Sequence, residues 1–409
     1  MVMPVPAAVL TESAVPGSMN DVRRSNLALV LGRIAQASAD THLTRAQVAS
    51  ATGLTKASVS SLVLELLEAG LVREIGLNPQ GERGRPGVGL QLNPDRAVMG
   101  MEINVDYIAA GVIDLSGTLL VQEIQERDNR DSDSGPVMDA LALLAATVAS
   151  AAGKRGVRIL GGGLAVPGLV DAATSKVLLA PNLGWTGVDL DLTRLLPGTA
   201  LGVALFNEAN AAALAELQHR QANGGSGFLF VSGEVGVGGG LVIGAELFTG
   251  PEGHAGEVGH VVVDPDGSLC SCGGTGCLET VAGQDAIFTA AGISGSRTRS
   301  ENMSALVDSL KAGEPGALLA VDRAGKYLGM ALASTARVTD IGSVVLGGHF
   351  AVLDPWLRAP LVASLEKYAP GRIAAEQVSL TAVGQAGALL GAAGSVVRSL
   401  VEAPYLVQP

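Results

Sequence analysis

All three cysteines of the chain lie within eight residues, and a histidine precedes the first of them by ten positions. The cysteines are Cys270, Cys272 and Cys277, and the histidine is His260. Two cysteines separated by one residue are too close for an unstrained disulfide bond, and three thiols cannot all pair. The cluster therefore predicts reduced thiols kept for a metal ion rather than a disulfide framework.

One imidazole and three thiolates form a complete tetrahedral set for zinc, which leaves no coordination position for a water molecule. The glycines between the cysteines allow the tight turns that such a knuckle needs. A catalytic metal bound by His254, Glu257 and His260 is disfavoured, because Gly256 and Gly259 oppose the helix that such a motif requires. We predict one structural zinc ion, and the alternative is three buried free thiols beside an unrelated histidine.

Two glutamates, Glu257 and Glu279, bracket the knuckle and have no place in its filled shell. A metal-bound His260 could offer its second ring nitrogen as an N–H donor beside these carboxylates. Rigid acceptors next to a donor suit a polyhydroxylated ligand such as a sugar. The alternative is that both glutamates are solvated loop charges, and the spacing alone does not decide between the two.

The 409 residues suffice for two or three domains, and the charges are distributed unevenly between them. The net charge is -12, yet residues 21–96 contain nine basic and seven acidic side chains, against eighteen and thirty-one in residues 97–409. This asymmetry indicates a small basic module joined to a large acidic one. Residues 1–20 have no basic segment typical of a signal peptide, and no run of 18 apolar residues occurs. We expect a flexible tail and a cytoplasmic protein with no membrane partner.

Three amphipathic helical patterns fill residues 25–71, with Thr44 and Thr55 as predicted N-caps and Gly53 at a sharp turn between the second and third helices. This order is typical of a helix-turn-helix. The outward residues near the start of the third helix suit phosphates and base edges of a major groove. The predicted DNA contacts on this helix are Thr55, Lys56, Ser58, Ser60 and Ser61.

Two short strand patterns follow, joined by a glycine-rich tip that contains Arg83 and Arg85. We interpret them as a wing whose arginines reach the DNA backbone or minor groove. The alternative is a three-helix packing module with a hairpin and no DNA partner.

The rest of the chain contains two similar halves. Residues 96–127 read as three strands with turns, and residues 227–250 repeat the arrangement with glycine-rich turns. Each is followed by helical and strand patterns, which predicts a duplicated α/β fold with a cleft between two lobes. The segment LGVALFNEANAAALAELQ is predicted to pass from a strand into a helix at Asn207.

Several motifs resemble the ROK family of bacterial sugar-responsive repressors and sugar kinases. They are EVGH followed by CSCGGTGCLE, together with APNLGW, NEAN and GEVGVGGG in the same order as in the family. The winged helix-turn-helix ahead of them resembles the repressor branch. The resemblance covers nearly the whole chain from about residue 22.

The resemblance implies a winged helix-turn-helix followed by an actin-like, two-lobed sugar kinase fold of the ribonuclease H-like class. The implied boundaries are a tail over 1–20, the DNA-binding domain over 21–93, a first lobe over 96–205 to which a helix over 384–400 returns, and a second lobe over 206–383. The implied zinc ligands are His260, Cys270, Cys272 and Cys277. The implied sugar contacts are Asn207, Glu208, Glu257, His260 and Glu279, with Gly168 and Asn182 in more variable loops.

Two departures from the kinase pattern distinguish this chain. The DxGGT phosphate loop of the kinases is replaced by Glu102–Asp106, where Val105 blocks close approach and both Glu102 and Asp106 would repel a triphosphate. The kinase aspartate that acts as general base is replaced by Glu208, whose carboxylate lies about one methylene further from the backbone.

We therefore predict a non-enzymatic transcriptional regulator, a repressor of carbohydrate genes, with a zinc ion and no ATP. Its expected partners are a double-stranded DNA operator and a sugar, and its expected assembly is a homodimer or a dimer of dimers. One alternative is an active glucokinase-like enzyme with a DNA-binding module. Another is a DNA-binding protein that responds to a protein partner or a phosphosugar.

Overall fold

The structure is a computed structural model that describes residues 19–37, 42–78, 87–221, 227–293 and 298–407. Its contacts divide the chain into two compact units. Unit 1 consists of the described residues up to Asn93 together with those from Arg398 onward, and unit 2 is Pro94–Val397. The assignment of the last residues to unit 1 is a feature that the sequence patterns did not predict.

Unit 1 contains three helices and a three-stranded antiparallel sheet with the strand order β1-β3-β2. Its elements are α1 (Met19–Ala35), β1 (Leu43–Thr44), α2 (Arg45–Thr52), α3 (Lys56–Glu68), β2 (Val72–Asn78) and β3 (Gly87–Leu92). The end of the chain packs on α1, where Tyr405 lies under the guanidinium of Arg24 at 4.6 Å.

The helix boundaries in unit 1 follow from capping and from the apolar faces. The Thr44 side chain accepts a hydrogen bond from the Gln47 N–H and that of Thr55 accepts one from Ser58, as predicted for N-caps. Gly53 has a φ of 72°, a left-handed conformation that favours glycine and ends α2. The buried core residues of the helices are Leu27, Val30, Leu31, Ile34, Val48, Ala49, Val59, Leu62, Val63 and Leu66.

Unit 2 begins with a first lobe built on a five-stranded mixed sheet in the order β11-β7-β4-β5-β6. A three-stranded sheet, β10-β9-β8, is inserted in this lobe. The elements are β4 (Arg96–Ile103), β5 (Tyr107–Asp114), β6 (Leu119–Glu126), α4 (Ser134–Gly153), β7 (Arg158–Val166), β8 (Leu169–Asp171), β9 (Lys176–Ala180), β10 (Trp185–Asp189) and β11 (Val203–Asn207).

A second lobe carries another five-stranded sheet, in the order β14-β13-β12-β15-β16, with most helices packed on it. The chain enters this lobe through a helix that begins directly after Asn207, which confirms the predicted strand-to-helix transition. The elements are α5 (Glu208–Gln221), β12 (Phe228–Gly233), β13 (Val237–Ile243), β14 (Glu246–Phe248), α6 (Glu279–Ala282), α7 (Gln284–Ala290), α8 (Arg299–Lys311), α9 (Pro315–Thr339), β15 (Val344–Gly347), α10 (Gly348–Tyr368) and β16 (Val378–Leu380). The last helix, α11 (Gly387–Glu402), lies against the first sheet, where Val98 and Ile113 pack on Ala393.

The two sheets have the same topology. In each, three strands form an antiparallel meander, and two further strands add in parallel next to the first strand of that meander. This repetition confirms the predicted duplication. Helices α5 and α11 join the halves, because Ala211 and Ala392 share an apolar cluster with Ala165 of the first sheet and Phe228 and Val345 of the second.

Helix α4 is the one helix among the described residues that is long and apolar enough to span a membrane by length and composition. Its inward face, which includes Val137, Leu141 and Val148, belongs to the apolar core of the first lobe. This packing is typical of a core helix in a globular domain.

Glycines allow α11 to approach its neighbours closely. A Cβ added at Gly391 would overlap the backbone carbonyl oxygen of Ala211, and one at Gly100 would overlap that of Leu389. These contacts are between backbones, which cannot move aside as a flexible side chain can.

Replacing Gly391 with alanine is expected to destabilise unit 2 by about 1 to 3 kcal/mol or more, as overpacking does in tight cores. Urea unfolding followed by circular dichroism measures the change. Gly135→Ala is the matched control, because a Cβ there meets nothing within 4 Å. Equal unfolding midpoints for the two variants would contradict this account of the α11 packing.

Candidate functional site

A cleft of about 1100 Å³ opens in unit 2 between the two lobes. All seven residues predicted to contact a sugar line it. They are Gly168, Asn182, Asn207, Glu208, Glu257, His260 and Glu279. The structure thus brings together residues that are up to about a hundred positions apart in sequence.

The turn between β4 and β5 forms one wall of the cleft. Glu102, 2% exposed, accepts a 2.6 Å hydrogen bond from the Tyr107 hydroxyl. Burial raises the pKa of Glu102 to about 7, and the charge of Glu234 adds to the effect. Val105 is buried in this turn, so the small residues of a phosphate loop are absent at this position.

Glu208 is the first residue of α5 and points to the same wall. Its Oε1 accepts a 2.7 Å hydrogen bond from the Asn104 Nδ2, and a buried Asn129 side chain in turn donates to the Asn104 carbonyl at 2.6 Å. Burial, followed by the nearby charge of Glu102, raises the pKa of Glu208 well above its usual range. A carboxyl group held neutral in this way can donate or accept a hydrogen bond.

Glu234 lies opposite, on the turn between β12 and β13. Its Oε1 accepts a 3.2 Å hydrogen bond from the Ser232 hydroxyl. The turn rests on the buried His349 ring, which packs where a side chain at Gly233 would otherwise lie. Burial, then repulsion by Glu208, raises the pKa of Glu234 to about 8. Three carboxyl groups from both lobes therefore face one another across the cleft.

The long loop between β14 and α6, together with the first residue of α6, lines another part of the cleft. Glu279 Oε2 accepts from the Val237 N–H at 3.2 Å, and its Oε1 accepts from the Ser271 hydroxyl at 3.1 Å. The Glu257 Oε2 lies 3.8 Å from the Nε2 of His260. The two glutamates that bracket the knuckle thus line the cleft beside the imidazole, so they are not isolated loop charges.

A hydrogen bond between Asn207 and Gly168 holds these two residues in place in the cleft wall. The Asn207 Nδ2 donates to the Gly168 carbonyl at 2.7 Å, and its Oδ1 accepts from the Asn210 N–H at 2.9 Å, which caps α5. Gly168 has a φ of 89°, and a Cβ there would overlap the Leu179 carbonyl. Asn182 lies in a single turn of 3-10 helix on the same wall.

The predicted metal ligands form a compact group. The ligand atoms of His260, Cys270, Cys272 and Cys277 all lie within 4.8 Å of one another. The Cys272 and Cys277 Sγ atoms are 3.8 Å apart and the Cys270 Sγ is 3.6 Å from His260 Nδ1. A tetrahedral site with metal–sulfur bonds of about 2.3 Å would place sulfurs about 3.8 Å apart. The donor set and its spacing therefore fit a metal ion.

The geometry gives the two nitrogens of His260 different roles. Nδ1 faces the thiols, whereas Nε2 faces Glu257 and the cleft. A metal ion on Nδ1 would leave Nε2 protonated, as a hydrogen-bond donor. The Gly274 N–H, 3.4 Å from the Cys272 sulfur, lowers the pKa of that thiol, whereas burial raises the pKa of Cys270 and raises that of Cys277 to about 12. A metal ion bound there would displace the protons of these thiols.

In unit 1, the predicted DNA contacts on α3 are all exposed to solvent. Lys56 and Ser61 point outward, while Thr55 and Ser58 share a 2.9 Å hydrogen bond at the cap and Ser60 donates to the Lys56 carbonyl at 2.8 Å. Arg83 and Arg85 lie outside the described residues.

Glu102 and Asn104 were expected only as part of a blocked phosphate loop, and Tyr107 and Glu234 were not predicted as site residues. The signal for Glu234 is the duplication, because the β12–β13 turn occupies in the second half the position of the β4–β5 turn in the first.

The sequence matches the ROK family over residues 98–398, and the chain belongs to that family. It is 30% identical over 329 residues to a xylose repressor of Bacillus spizizenii. This alignment covers 80% of this chain and 82% of that protein. It is also 30% identical over 230 residues to a glucokinase of Halalkalibacterium halodurans, covering 53% of this chain and 69% of that enzyme.

Among solved structures, a ROK family transcriptional regulator described as a homolog of the Escherichia coli MLC protein superposes with a TM-score of 0.73. The match covers 94% of this chain and 98% of that chain at 24% identity, so it shows the fold alone. The two-lobed unit 2 accordingly has the actin-like kinase fold of this family.

Replacing His260 with alanine is expected to reduce the metal content from about one ion per chain to near zero, because a tetrahedral set that loses a ligand binds far more weakly. Mass-spectrometric metal analysis after dialysis against a weak chelator measures it. His254→Ala is the matched control, since this neighbouring exposed histidine is not among the clustered ligands. Full metal content in the His260 variant would show that the group does not bind the ion.

The carboxyl groups of the cleft are expected to make stability depend on pH. Because the folded-state pKa of Glu102 is about 7 and that of Glu234 about 8, against 4.5 for an ordinary glutamate, the folded state retains protons that the unfolded state loses. Their contribution is present below pH 4.5 and is lost as the pH rises to about 8. For Glu102 the slope is at most about 1.4 kcal/mol per pH unit.

Urea unfolding at constant ionic strength between pH 5 and 8.5 tests this pH dependence. The doubly substituted Glu102→Gln, Glu234→Gln protein is expected to lose less stability than the unaltered protein as the pH rises. Glu246→Gln, at an exposed position on β14, should leave the slope unchanged. Parallel pH profiles for all three proteins would refute the assignment.

Proposed function

We propose that this protein is a sugar-responsive transcriptional regulator, acting as a repressor, that binds operator DNA through unit 1 and a sugar in the cleft of unit 2. The observation that carries the proposal is the similarity to a xylose repressor. The alignment with that repressor spans 329 residues, or 80% of the chain, whereas the ROK family match spans residues 98–398. The alignment therefore extends outside the kinase-like region. The similarity to a glucokinase covers only 53%.

The elements of unit 1 support a winged helix-turn-helix. Helices α2 and α3 are joined by the turn at Gly53, and the N-terminal end of α3 presents Lys56, Ser60 and Ser61 to solvent. Short polar and basic side chains at the start of a recognition helix can contact phosphates and base edges. The β2–β3 hairpin would be the wing, and we propose that Arg83 and Arg85 contact the DNA from it.

The chemistry of the cleft supports a sugar. Glu257 and Glu279 supply acceptors, the Nε2 of His260 supplies a donor when a metal holds Nδ1, and Asn207 and Glu208 face them. A sugar hydroxyl both donates and accepts, so it can pair with each of these groups. Gly168 and Asn182 would complete the pocket wall.

We propose that the metal is one structural zinc ion held by His260 and the three cysteines. Three thiolates and an imidazole prefer zinc and fill its tetrahedral shell, which excludes a metal-bound nucleophile. Thiols kept for a metal also favour a reducing compartment, and we place the protein in the cytoplasm on that basis.

Two features argue against phosphoryl transfer from ATP. The β4–β5 turn has the buried Val105 and Glu102 where small residues would have to approach a triphosphate. Glu208, at the position of the kinase general base, is held by Asn104 and has a raised pKa. An active kinase is the alternative, supported by the glucokinase relative.

In this proposal, a sugar that contacts both lobes stabilises their closed arrangement. Operator release requires that the DNA-binding and DNA-free states differ in sugar affinity. A dimer on two half-sites, the assembly that we expect, would be sensitive to small changes in the spacing of its DNA-binding helices.

The proposal is tested with DNA fragments selected from genomic DNA by the purified protein. Lys56→Ala is expected to weaken binding about 3- to 30-fold in fluorescence anisotropy and to lower the salt dependence by about one counterion. Lys154→Ala, which removes an exposed positive charge from unit 2, is the control. A free sugar such as xylose or glucose should release the DNA.

Two outcomes would overturn the proposed function. One is DNA affinity that Lys56→Ala does not change. The other is ATP-dependent phosphorylation of a sugar that disappears in Glu208→Ala, which would establish the kinase alternative.

A further inference from the structure

The charged side chains that line the cleft are acidic. Five glutamates line it, and none of the described residues that line it is a lysine or an arginine. The charges of Glu102, Glu208 and Glu234 interact with one another, and Glu279 lies between the β12–β13 turn, through Val237, and the loop of Glu257 and His260. A ligand in this cleft therefore meets carboxyl groups from both lobes.

Two arginines near the cleft, Arg299 and Arg130, are engaged in ion pairs, although the charge of Arg299 still partly offsets the rise in the pKa of Glu234. The Arg299 Nε lies 3.0 Å from an Asp106 oxygen, and its other nitrogens reach Asp285 and Gln284, each at 3.0 Å. Arg130 contacts the same Asp106 oxygen at 2.7 Å. Asp106 thus draws both guanidinium groups into ion pairs outside the residues that line the cleft.

This arrangement treats hydroxyl and phosphate groups differently. A hydroxyl both donates and accepts hydrogen bonds, so it can pair with a carboxyl group in either protonation state. A phosphate dianion only accepts, and where Glu102 and Glu234 are ionised it meets carboxylates with no cation among the described residues that line the cleft. Glu102 belongs to the first lobe and Glu234 to the second, and the charge of Glu234 raises the pKa of Glu102, so a group bound between the lobes would meet both.

We propose that the cleft accepts unphosphorylated sugars and rejects sugar phosphates, and that Glu102 and Glu234 are the residues that determine this specificity. The inference rests on the proposed function, because it assumes that the cleft binds a sugar. It goes further by assigning the chemical class of the effector. It also assigns a role to Glu234, a residue of a glycine-rich turn to which the sequence motifs assign no function.

Calorimetric titration with matched pairs at pH 8.5, above the pKa of about 7 for Glu102 and about 8 for Glu234, tests the proposal. The pairs are glucose and glucose 6-phosphate, xylose and xylose 5-phosphate, and N-acetylglucosamine and its 6-phosphate. For the pair whose sugar binds, the unaltered protein is expected to prefer the free sugar by about 100-fold or more, since unpaired like charges in an interface cost several kcal/mol.

Glutamine variants test whether Glu234 and Glu102 cause the preference for the free sugar over its phosphate. Glu234→Gln and Glu102→Gln keep the side-chain shape and remove the carboxylate, and each is expected to narrow the ratio of the two affinities about tenfold, whatever its effect on the free sugar. Glu246→Gln, which removes an exposed carboxylate outside the cleft, should leave the ratio unchanged. The ratio for the unaltered protein decides the ligand class even where a variant fails to fold.

The possible outcomes separate this inference from the proposed function. Equal or tighter binding of a sugar phosphate overturns the inference and leaves a sugar-responsive regulator. A strong preference for free sugar that neither glutamine variant narrows overturns the assignment of Glu102 and Glu234. The absence of binding by every sugar and every phosphate overturns the sugar-binding function, and the inference with it.

Discussion

The geometry of the cleft depends on how the loop between β14 and α6 is held. Residues 249–278 contain no strand or α-helix and only two isolated β-bridges, Val262 with Cys277 and Leu269 with Thr275. A loop of this length needs other contacts to hold one conformation. His260 and the three thiols supply the strongest candidate, because a metal ion bound to all four would cross-link the middle of the loop to its C-terminal end. Glu257 and Glu279, which lie three and two residues from these ligands in sequence, would then be fixed in the cleft.

His260 connects that cross-link to the ligand site through its two nitrogens. The metal-facing Nδ1 and the cleft-facing Nε2 belong to one rigid ring, so fixing one fixes the other. A structural metal can therefore govern ligand binding without touching the ligand. In the proposed regulator, the knuckle would set both the position of an N–H donor and its protonation state, while chemistry at the metal would play no part.

Local sequence patterns predicted much of the fold, but they did not predict the contacts between residues that are far apart in sequence. Thr44 and Thr55 cap their helices because a threonine before an apolar helical pattern has a local hydrogen-bonding role. The duplicated hairpins follow from alternating strands and turns. The close contact of Gly100 with Leu389 joins residues almost three hundred positions apart, and no pattern around either one signals it. The packing of Tyr405 on Arg24 is another contact of this kind.

The same distinction applies to the candidate site, and it explains why Glu234 was missed. Glu257 and Glu279 drew attention because they flank a metal motif, whereas Glu234 is a single charge in a glycine-rich turn. Its importance depends on Glu102 and Glu208, which only the folded chain brings near it. Three carboxyl groups without a cation among the residues that line the cleft are mutually unfavourable when ionised, so they retain protons or seek donors. A ligand with several hydroxyl groups supplies such donors to both lobes at once. Ligand binding and closure of the cleft would then be one process, because the hydrogen bonds that satisfy the carboxyl groups form only when both lobes reach the ligand.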